Sequence, residues 1–362
     1  MAIAPPLALL LELSHRCPLK CPYCYNPLKL TPRSKELDTD TWLRVLNEAA
    51  GLGILQVHFS GGEPALRDDL EVLVEAADQL GIYTNLITST LLLGRERIRD
   101  LARRGLQHIQ ISFQDVRPDA ADAMAGYSGA HATKIAAAQC AIEVGLPVTM
   151  NTVITRRNIE RLESIIEFAL TIGARRLEIA NVQYYGWALK NRAALMPTRV
   201  QIENAVEIVR KMEPSLAGRL AIDFVAPDYY ARRPKPCMGG WAQKFMNITP
   251  AGDVLPCHAA ETIPGIKFET VLRSSLKDIW ETSESFDHFR GHDWMVPPCR
   301  DCDQKSIDWG GCRCQALALT GDARNADPAC ALSPFHEKIV KLAEADALDS
   351  KAALIFRGGI RA

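Results

Sequence analysis

Polar and apolar positions fall into a repeating block between residues 7 and 225. Each block is a short apolar run, then a polar or glycine-bearing turn, then a segment with apolar residues at helical spacing. The runs LALLLEL (7–13), LQVHFS (55–60), GIYTNLIT (81–88), LQHIQISF (106–113), LPVTMNTVI (146–154) and RRLEIANV (175–182) predict strands. DTWLRVLNEAAGLG, DLEVLVEAADQLG and ERLESIIEFALTIG predict helices, and each ends in the glycine expected at a helix C-terminus. Most strand runs show little alternation, the pattern of a parallel sheet covered by helices. Such βα units build either an open or partial barrel or a doubly wound sheet. Both bind ligands at the carboxyl ends of the strands. The segments after strands one, two, four, five and six read SHRCPLKCPYC, GGEP, QDVRPD, TRRN and QYYGW, so chemically able residues crowd that edge.

The pattern changes near Ala231. From ARRPKPCMGG onward the chain is rich in Cys, Pro, Gly and Trp, with one short helical piece near SSLKDIWETSESFDHFR. A region of that kind builds little apolar core and needs metal staples. Helical pattern returns from Glu337 to Leu348 and fades into KAALIFRGGIRA, expected to be loosely ordered. The expected division is a βα body at 1–230, a Cys-rich domain at 231–336, and a helix and tail at 337–362.

Charge narrows the partners. The formal net charge of −1 gives no drive toward nucleic acid or an anionic membrane. The apolar run Leu7–Leu13 is too short to span a bilayer, and no Lys or Arg precedes it as in a signal peptide. The expected location is the cytoplasm. Eleven cysteines then need a purpose other than disulfides. Cys140 sits in a helical pattern and reads as a buried thiol. The others gather at Cys17, Cys21 and Cys24, and between Cys237 and Cys330, which points to metal or iron–sulfur ligation at both ends of the chain.

Three thiolates on a cluster of four irons leave one iron open to a chelating ligand, as the vacant position does in a catalytic zinc centre. The C-x3-C-x2-C loop after the first strand, the aromatic Tyr23 before its third cysteine, and SGGEP after the second strand resemble the signature of the radical S-adenosylmethionine (SAM) superfamily. The resemblance implies an α/β partial (β/α)6 TIM-like barrel and a [4Fe–4S] cluster on Cys17, Cys21 and Cys24. That cluster cleaves bound SAM to methionine and a 5′-deoxyadenosyl radical. It also implies SAM contacts: Tyr23 beside the adenine, Gly61, Gly62 and Glu63 near the methionine ammonium, Ser112 and Gln114 at the ribose, and Asn151 close by.

The C-terminal cysteines resemble the SPASM extension of that superfamily, which carries two auxiliary iron–sulfur clusters. One position departs, because Asp308 stands where the SPASM pattern has a cysteine, and Cys314 is a surplus thiol. Cys312 and Cys314, two residues apart, point the same way in extended backbone. By analogy with the crossed SPASM arrangement, Cys237, Cys257, Cys312 and Cys314 hold the first cluster, and Cys299, Cys302, Asp308 and Cys330 the second. One is expected to be [4Fe–4S], the other [2Fe–2S] or [4Fe–4S].

Asp308 with GGCRCQA, together with CPLKCPYCYNP, FSGGEP, ISFQD, YYGWA and NADPACALSP, resembles the PqqE family of pyrroloquinoline quinone (PQQ) biosynthesis. That resemblance implies a carbon–carbon bond between a glutamate Cγ and a tyrosine ring in the precursor peptide PqqA. It also implies the peptide chaperone PqqD and an external electron donor, flavodoxin-like or another reductase, as partners. Two other readings stay open: a formylglycine- or thioether-forming SPASM enzyme, and a nonenzymatic iron–sulfur or zinc-stapled protein. GGEP and the open-iron triad argue against the last, which needs no SAM pocket. QYYGW (Gln183–Trp187) is a candidate wall of the substrate pocket, or plain aromatic packing at the barrel mouth.

Overall fold

The computed structural model describes residues 3–225, 227–349 and 351–357. Nine strands form one sheet: β1 (Ala8–Ser14), β2 (Gln56–Gly61), β3 (Tyr83–Thr88), β4 (His108–Phe113), β5 (Val148–Ile154), β6 (Arg176–Asn181), β7 (Ala221–Phe224), β8 (Phe245–Ile248) and β9 (Val254–Leu255). Their order is β7-β6-β5-β4-β3-β2-β1-β8-β9. All the expected strands are present, each parallel to its neighbour in chain order. Helices at the expected places connect them, the first running from Thr39 to Leu52. Its start is fixed by Asp38, whose side chain accepts from the Thr41 N–H at 2.9 Å, and its end by Gly53 in the left-handed region. This is the open α/β parallel sheet of a partial barrel.

The strands alternate more than their sequences suggested. Leu9, Leu11 and Leu13, Val57 and Phe59, Leu86, Ile109 and Ile111, and Leu177 and Ile179 are fully buried in the main apolar core with the helices. Residues between them are polar and sit side by side in register. His58 lies opposite Asn85 and Asn85 opposite His108, while Ser112, Asn151 and Glu178 make a second row. Only β1 is apolar enough to read as buried on both faces. A closed two-sided sheet would not carry such rows; a half-open barrel does, with polar groups on its inner face. Cys140 is fully buried in the helix Ala130–Glu143, as its helical setting predicts.

Two features lay beyond the sequence pattern. AIDF forms β7, parallel to β6. The Cys-rich part contributes β8, which pairs with the other edge of β1, Ala8 opposite Phe245 through Leu11 opposite Ile248. Trp280, fully buried, fastens the same region by donating from Nε1 to the Ala4 carbonyl at 2.8 Å.

The inner polar face makes stability depend on pH. Asn85 Nδ2 donates to His58 Nδ1 at 2.9 Å, which favours the neutral ring. Burial, with His108 nearby, lowers the His58 pKa from 6.5 to about 4. The unfolded chain therefore takes up a proton that the folded chain refuses. Stability should be intact above about pH 6.5 and fall as the pH drops toward about 4, by at most roughly 3 kcal/mol. Urea midpoints of the native chain and His58→Gln at neutral and acidic pH check this. Acidification should weaken the native chain more than the variant, and equal losses would remove His58 as the cause.

Candidate functional site

β1 ends at Ser14, and the loop beyond it carries Cys17, Cys21 and Cys24, all free thiols. Its entry is fixed by Ser14 Oγ, which donates to Glu36 at 2.7 Å and accepts from the Arg16 N–H at 3.0 Å. Arg16 grips the same carboxylate with two bonds of 3.0 and 3.1 Å. Farther on, Lys20 N donates to the Ala125 carbonyl at 2.8 Å, and Cys24 N to the Cys21 carbonyl at 3.2 Å. The charge of Cys21 bears on the Cys17 thiol, and that of Cys24 on the Cys21 thiol. Burial, then the Glu63 carboxylate, pushes the Cys17 thiol far up, and burial raises Cys21 to about 11. Neutral thiols are favoured at Cys17 and Cys21, so a metal bound by them would release protons.

GGEP locks onto that loop. Gly62 N donates to the Ser14 carbonyl at 2.5 Å and Glu63 N to the Arg16 carbonyl at 2.7 Å. A Cβ on Gly61, at φ +116, would lie 2.3 Å from the Ser14 carbonyl oxygen; one on Gly62 would lie 2.2 Å from that of Arg16. The glycines thus admit the protein's own backbone. Glu63 is fully buried. Its carboxylate accepts from Ala65 N at 3.0 Å, Thr88 Oγ1 at 2.7 Å, Ser89 N at 2.8 Å and the Ser89 hydroxyl. It therefore ties the end of β2 to the end of β3.

The other expected SAM contacts gather around one buried lysine. Lys134 Nζ donates to the Ser112 carbonyl at 2.7 Å and to Gln114 Oε1 at 2.5 Å. Burial, then the charge of Cys21, raises the Tyr23 pKa and Gln114 opposes the rise, so Tyr23 stands between Gln114 and the triad. Asn151 stands beside Ser112 on the next strand. Burial lowers the Lys134 pKa to about 8, opposed by the negative charges of Cys21, Cys17 and Glu63. Sequence reasoning missed Lys134. Its signal was a lone cation inside the Ala-rich helix HATKIAAAQC.

In the Cys-rich part the thiols of Cys237, Cys257, Cys314 and Cys312 lie close enough for each to shift the pKa of two others, which links the four as a ring. Asp327, buried, holds the ring's edge by accepting from Cys312 N at 2.6 Å and Gln315 Nε2 at 2.8 Å. A second group lines one small opening: Cys299, Cys302, Asp308 and Cys330, with Pro234 and Pro298. Asp308 ends a short helix, accepts from Gly310 N at 2.9 Å, and acts electrostatically on Cys299 and Cys330. The four thiols and the four residues at the opening are thus two separate groups. Among the described residues no three such side chains are set as the cage of a single metal ion, so the grouping rests on which side chains face one another. Arg313, 1% exposed, donates to the carbonyls of Ala323 and Asn325 at 2.8 and 3.0 Å, and its charge reaches both sets.

Aromatic residues span the space between triad and ring. The Tyr25 ring lies 4.9 Å from His258, next to Cys257, and its hydroxyl lies 3.1 Å from Ser60 Oγ. The Tyr185 and His258 rings are 6.4 Å apart, and Tyr185 acts on the Glu261 carboxyl. Tyr184 instead packs edge-on against Tyr229 at 4.7 Å, in an apolar cluster with Met196 and Ile339. Within QYYGW, Tyr184 is apolar packing, and Tyr185 is partly buried against the main core near His258.

Residues 11–169 match the radical SAM superfamily, and residues 237–303 match SPASM, an iron–sulfur cluster-binding domain. A PqqA peptide cyclase of Bradyrhizobium diazoefficiens is 56% identical over 353 residues, 97% of this chain and 93% of its own length. One of Rhodopseudomonas palustris is 57% identical over 353 residues, 97% and 94% of the two chains. The chain belongs to the PqqA peptide cyclase family of radical SAM enzymes. Solved structures share the family's fold at lower identity. Streptococcus suis SuiB bound to the precursor peptide SuiA superposes with a TM-score of 0.74 at 21% identity, over 91% of this chain and 76% of that one. The protein anSMEcpe with bound AdoMet gives 0.66 at 17%, over 94% and 96%.

The tail departs from expectation. Residues 354–357 are not loose: Asn191 holds Ile355 through bonds of 2.6 and 2.8 Å, and Arg357 is 2% exposed. The sequence gives no periodic signal there because the contacts are made by single side chains.

The backbone lock between GGEP and the triad loop predicts a specific failure. Gly62→Ala drives its Cβ into the Arg16 carbonyl and should break the Glu63–Arg16 bond. Amide exchange should accelerate across residues 15–24 while residues 245–257 exchange as before. Unchanged protection of the triad loop would show that the approach tolerates a methyl group.

Proposed function

We propose that this enzyme joins a glutamate Cγ to a tyrosine ring within a PqqA-type precursor peptide, an early step of PQQ biosynthesis. The observation that carries the proposal is identity of 53–57% across nearly the full chain to proteins named PqqA peptide cyclase. The two matched domains make it an iron–sulfur, SAM-dependent enzyme. In the proposed arrangement Cys17, Cys21 and Cys24 hold a [4Fe–4S] cluster with one open iron. The thiol ring holds one auxiliary cluster, and Cys299, Cys302, Asp308 and Cys330 hold the other; one is [4Fe–4S], the other [2Fe–2S] or [4Fe–4S]. The sulfur ring and the shared opening suit such ligands, and the buried cations nearby offset thiolate charge. Bound SAM at the open iron supplies the 5′-deoxyadenosyl radical.

The chain's own residues do the positioning. Tyr23, Gln114 and Lys134 connect the triad to the end of β4, where Ser112 and Asn151 present polar groups to SAM. Tyr25, His258 and Tyr185 wall the space in which peptide reaches the radical. The cross-link removes two hydrogens: one becomes a C–H of deoxyadenosine, and the other leaves as a proton and an electron, which an auxiliary cluster held by the C-terminal ligands would be able to accept. PqqD presents the peptide, and an external flavodoxin-like or other reductase supplies electrons. No helix among the described residues is long and apolar enough to cross a membrane; the proposed site of action is the cytoplasm.

Anaerobically reconstituted enzyme given SAM and PqqA-type peptide should yield peptide lighter by two hydrogens, with the link mapped to Glu and Tyr by fragmentation. SAM cleavage with unaltered PqqA peptide would move the proposal to another peptide chemistry.

Replacing all of Cys17, Cys21 and Cys24 by Ala should abolish deoxyadenosine formation and remove roughly four of about ten to twelve irons per chain. Retained SAM cleavage would end the triad assignment.

Asp308 separates a ligand from a loop residue. Carboxylate is a harder, less covalent donor than thiolate, and ligand type tunes cluster potential. Asp308→Cys should assemble a cluster of altered potential, cleave SAM, and make less cross-linked peptide. Asp308→Ala should lose iron from that site. Unchanged iron and spectra in Asp308→Ala would remove it from the ligand set.

A further inference from the structure

We propose that Arg357, delivered by the C-terminal segment, is a positioning residue of the N-terminal cysteine triad that sets the reduction potential of the group held there. The inference rests on the reading that Cys17, Cys21 and Cys24 hold the SAM-binding cluster.

Arg357 lies 333 residues from Cys24, yet its Nη1 is 3.4 Å from the Cys24 sulfur. Nη2 donates to the His15 carbonyl at 3.4 Å, and the backbone N–H to the Lys20 carbonyl at 3.3 Å. The Asn26 amide, turned so that both its neighbours are satisfied, accepts from Nη1 at 3.3 Å and donates to the Gly61 carbonyl at 3.3 Å. Every contact is with the triad loop or with the GGEP backbone that locks it. The segment reaches this place by a defined route. Leu354 packs with Tyr23 and Val182, and Asn191 Nδ2 bridges the carbonyls of Ile355 and Pro22 at 2.8 and 3.0 Å.

Two properties fit this guanidinium to a redox group rather than to packing alone. It has no carboxylate partner among the described residues, although it is 2% exposed. A buried cation without a counter-ion is costly unless an anionic group stands beside it, and three thiolates on an iron cluster supply one. Its Nε, moreover, is buried with no acceptor in the protein. One donor of the fork is left for whatever the thiolates hold.

Arginine keeps its proton throughout the working pH range. Its charge is therefore constant while the cluster accepts one electron from the reductant, and no proton moves with it. A fixed, poorly screened positive charge and an N–H···S bond favour the more negative, reduced form and raise the potential. The tail would thus ease the first electron into the site.

The test uses the full-length holoenzyme, reconstituted anaerobically and titrated with dithionite. The paramagnetic signal that changes on adding SAM identifies the triad's cluster among the others. Arg357→Met should keep iron content but lower the equilibrium constant for one-electron reduction about ten-fold, about 59 mV. Arg357→Lys, which keeps the charge, should restore most of it. An unshifted potential in Arg357→Met overturns the proposal, even if amide exchange at residues 15–26 accelerates, because that would show a mechanical staple only. If Arg357→Met loses the cluster, the lysine variant decides: full iron with a part-way shift supports the proposal, and equal iron loss overturns it. A parent enzyme without a SAM-responsive signal would instead overturn the triad reading, and this inference with it.

Discussion

Two peptide bonds from Gly62 and Glu63 donate to the carbonyls of Ser14 and Arg16, and the rest of the site is arranged around that contact. It works only because Gly61 and Gly62 lack side chains; either Cβ would collide with backbone. The lock fixes the triad loop to the end of β2, and Glu63 passes the constraint to β3 through Thr88 and Ser89. A catalytic loop that holds a reactive group must be rigid to a fraction of an ångström. Here backbone hydrogen bonds between adjacent strand ends provide that, without relying on long side chains.

Electrostatics follow the same economy. Lys134, Arg313 and Arg357 are each at most 2% exposed, and among the described residues none is in an ion pair with a carboxylate. Lys134 and Arg357 stand at the triad, and Arg313 acts on both C-terminal groups. Thiols that burial pushes toward neutrality and cations that burial would expel are placed side by side. Each offsets part of the cost of burying the other.

Much of this was legible because it is local. Strand and helix periodicity placed β1 to β6, and the same pattern put the triad and GGEP at adjacent strand ends. The division of the eight C-terminal residues into two sets of four came from their resemblance to the crossed SPASM arrangement, which spacing alone does not dictate. What escaped was long-range or carried by one side chain. Nothing in FMNI says that it will pair with ALLL, more than two hundred residues earlier. A lysine among alanines reads as a solvated helix face, and Lys134 is buried because Ser112 and Gln114 receive its three-donor head. KAALIFRGGIRA has no period, so the contacts of Ile355 and Arg357 are invisible until Asn191 and Cys24 are brought together. Polar alternation in β4 and β6 was present in the sequence and was outweighed by the apolar run of β1.

The pairing of β8 with β1 means that the two metal-binding parts are not beads on a string. One edge of a single strand carries the loop of Cys17, Cys21 and Cys24 toward β2, and its opposite edge carries the strand that leads to Cys257. Their separation is measured out in hydrogen-bonded rungs, not by a tether whose length can drift. Grafting the C-terminal part of a relative onto this barrel would therefore transplant a ruler as well as a set of ligands. The graft keeps its gauge only if the incoming strand seats against Ala8–Leu11 in the same register.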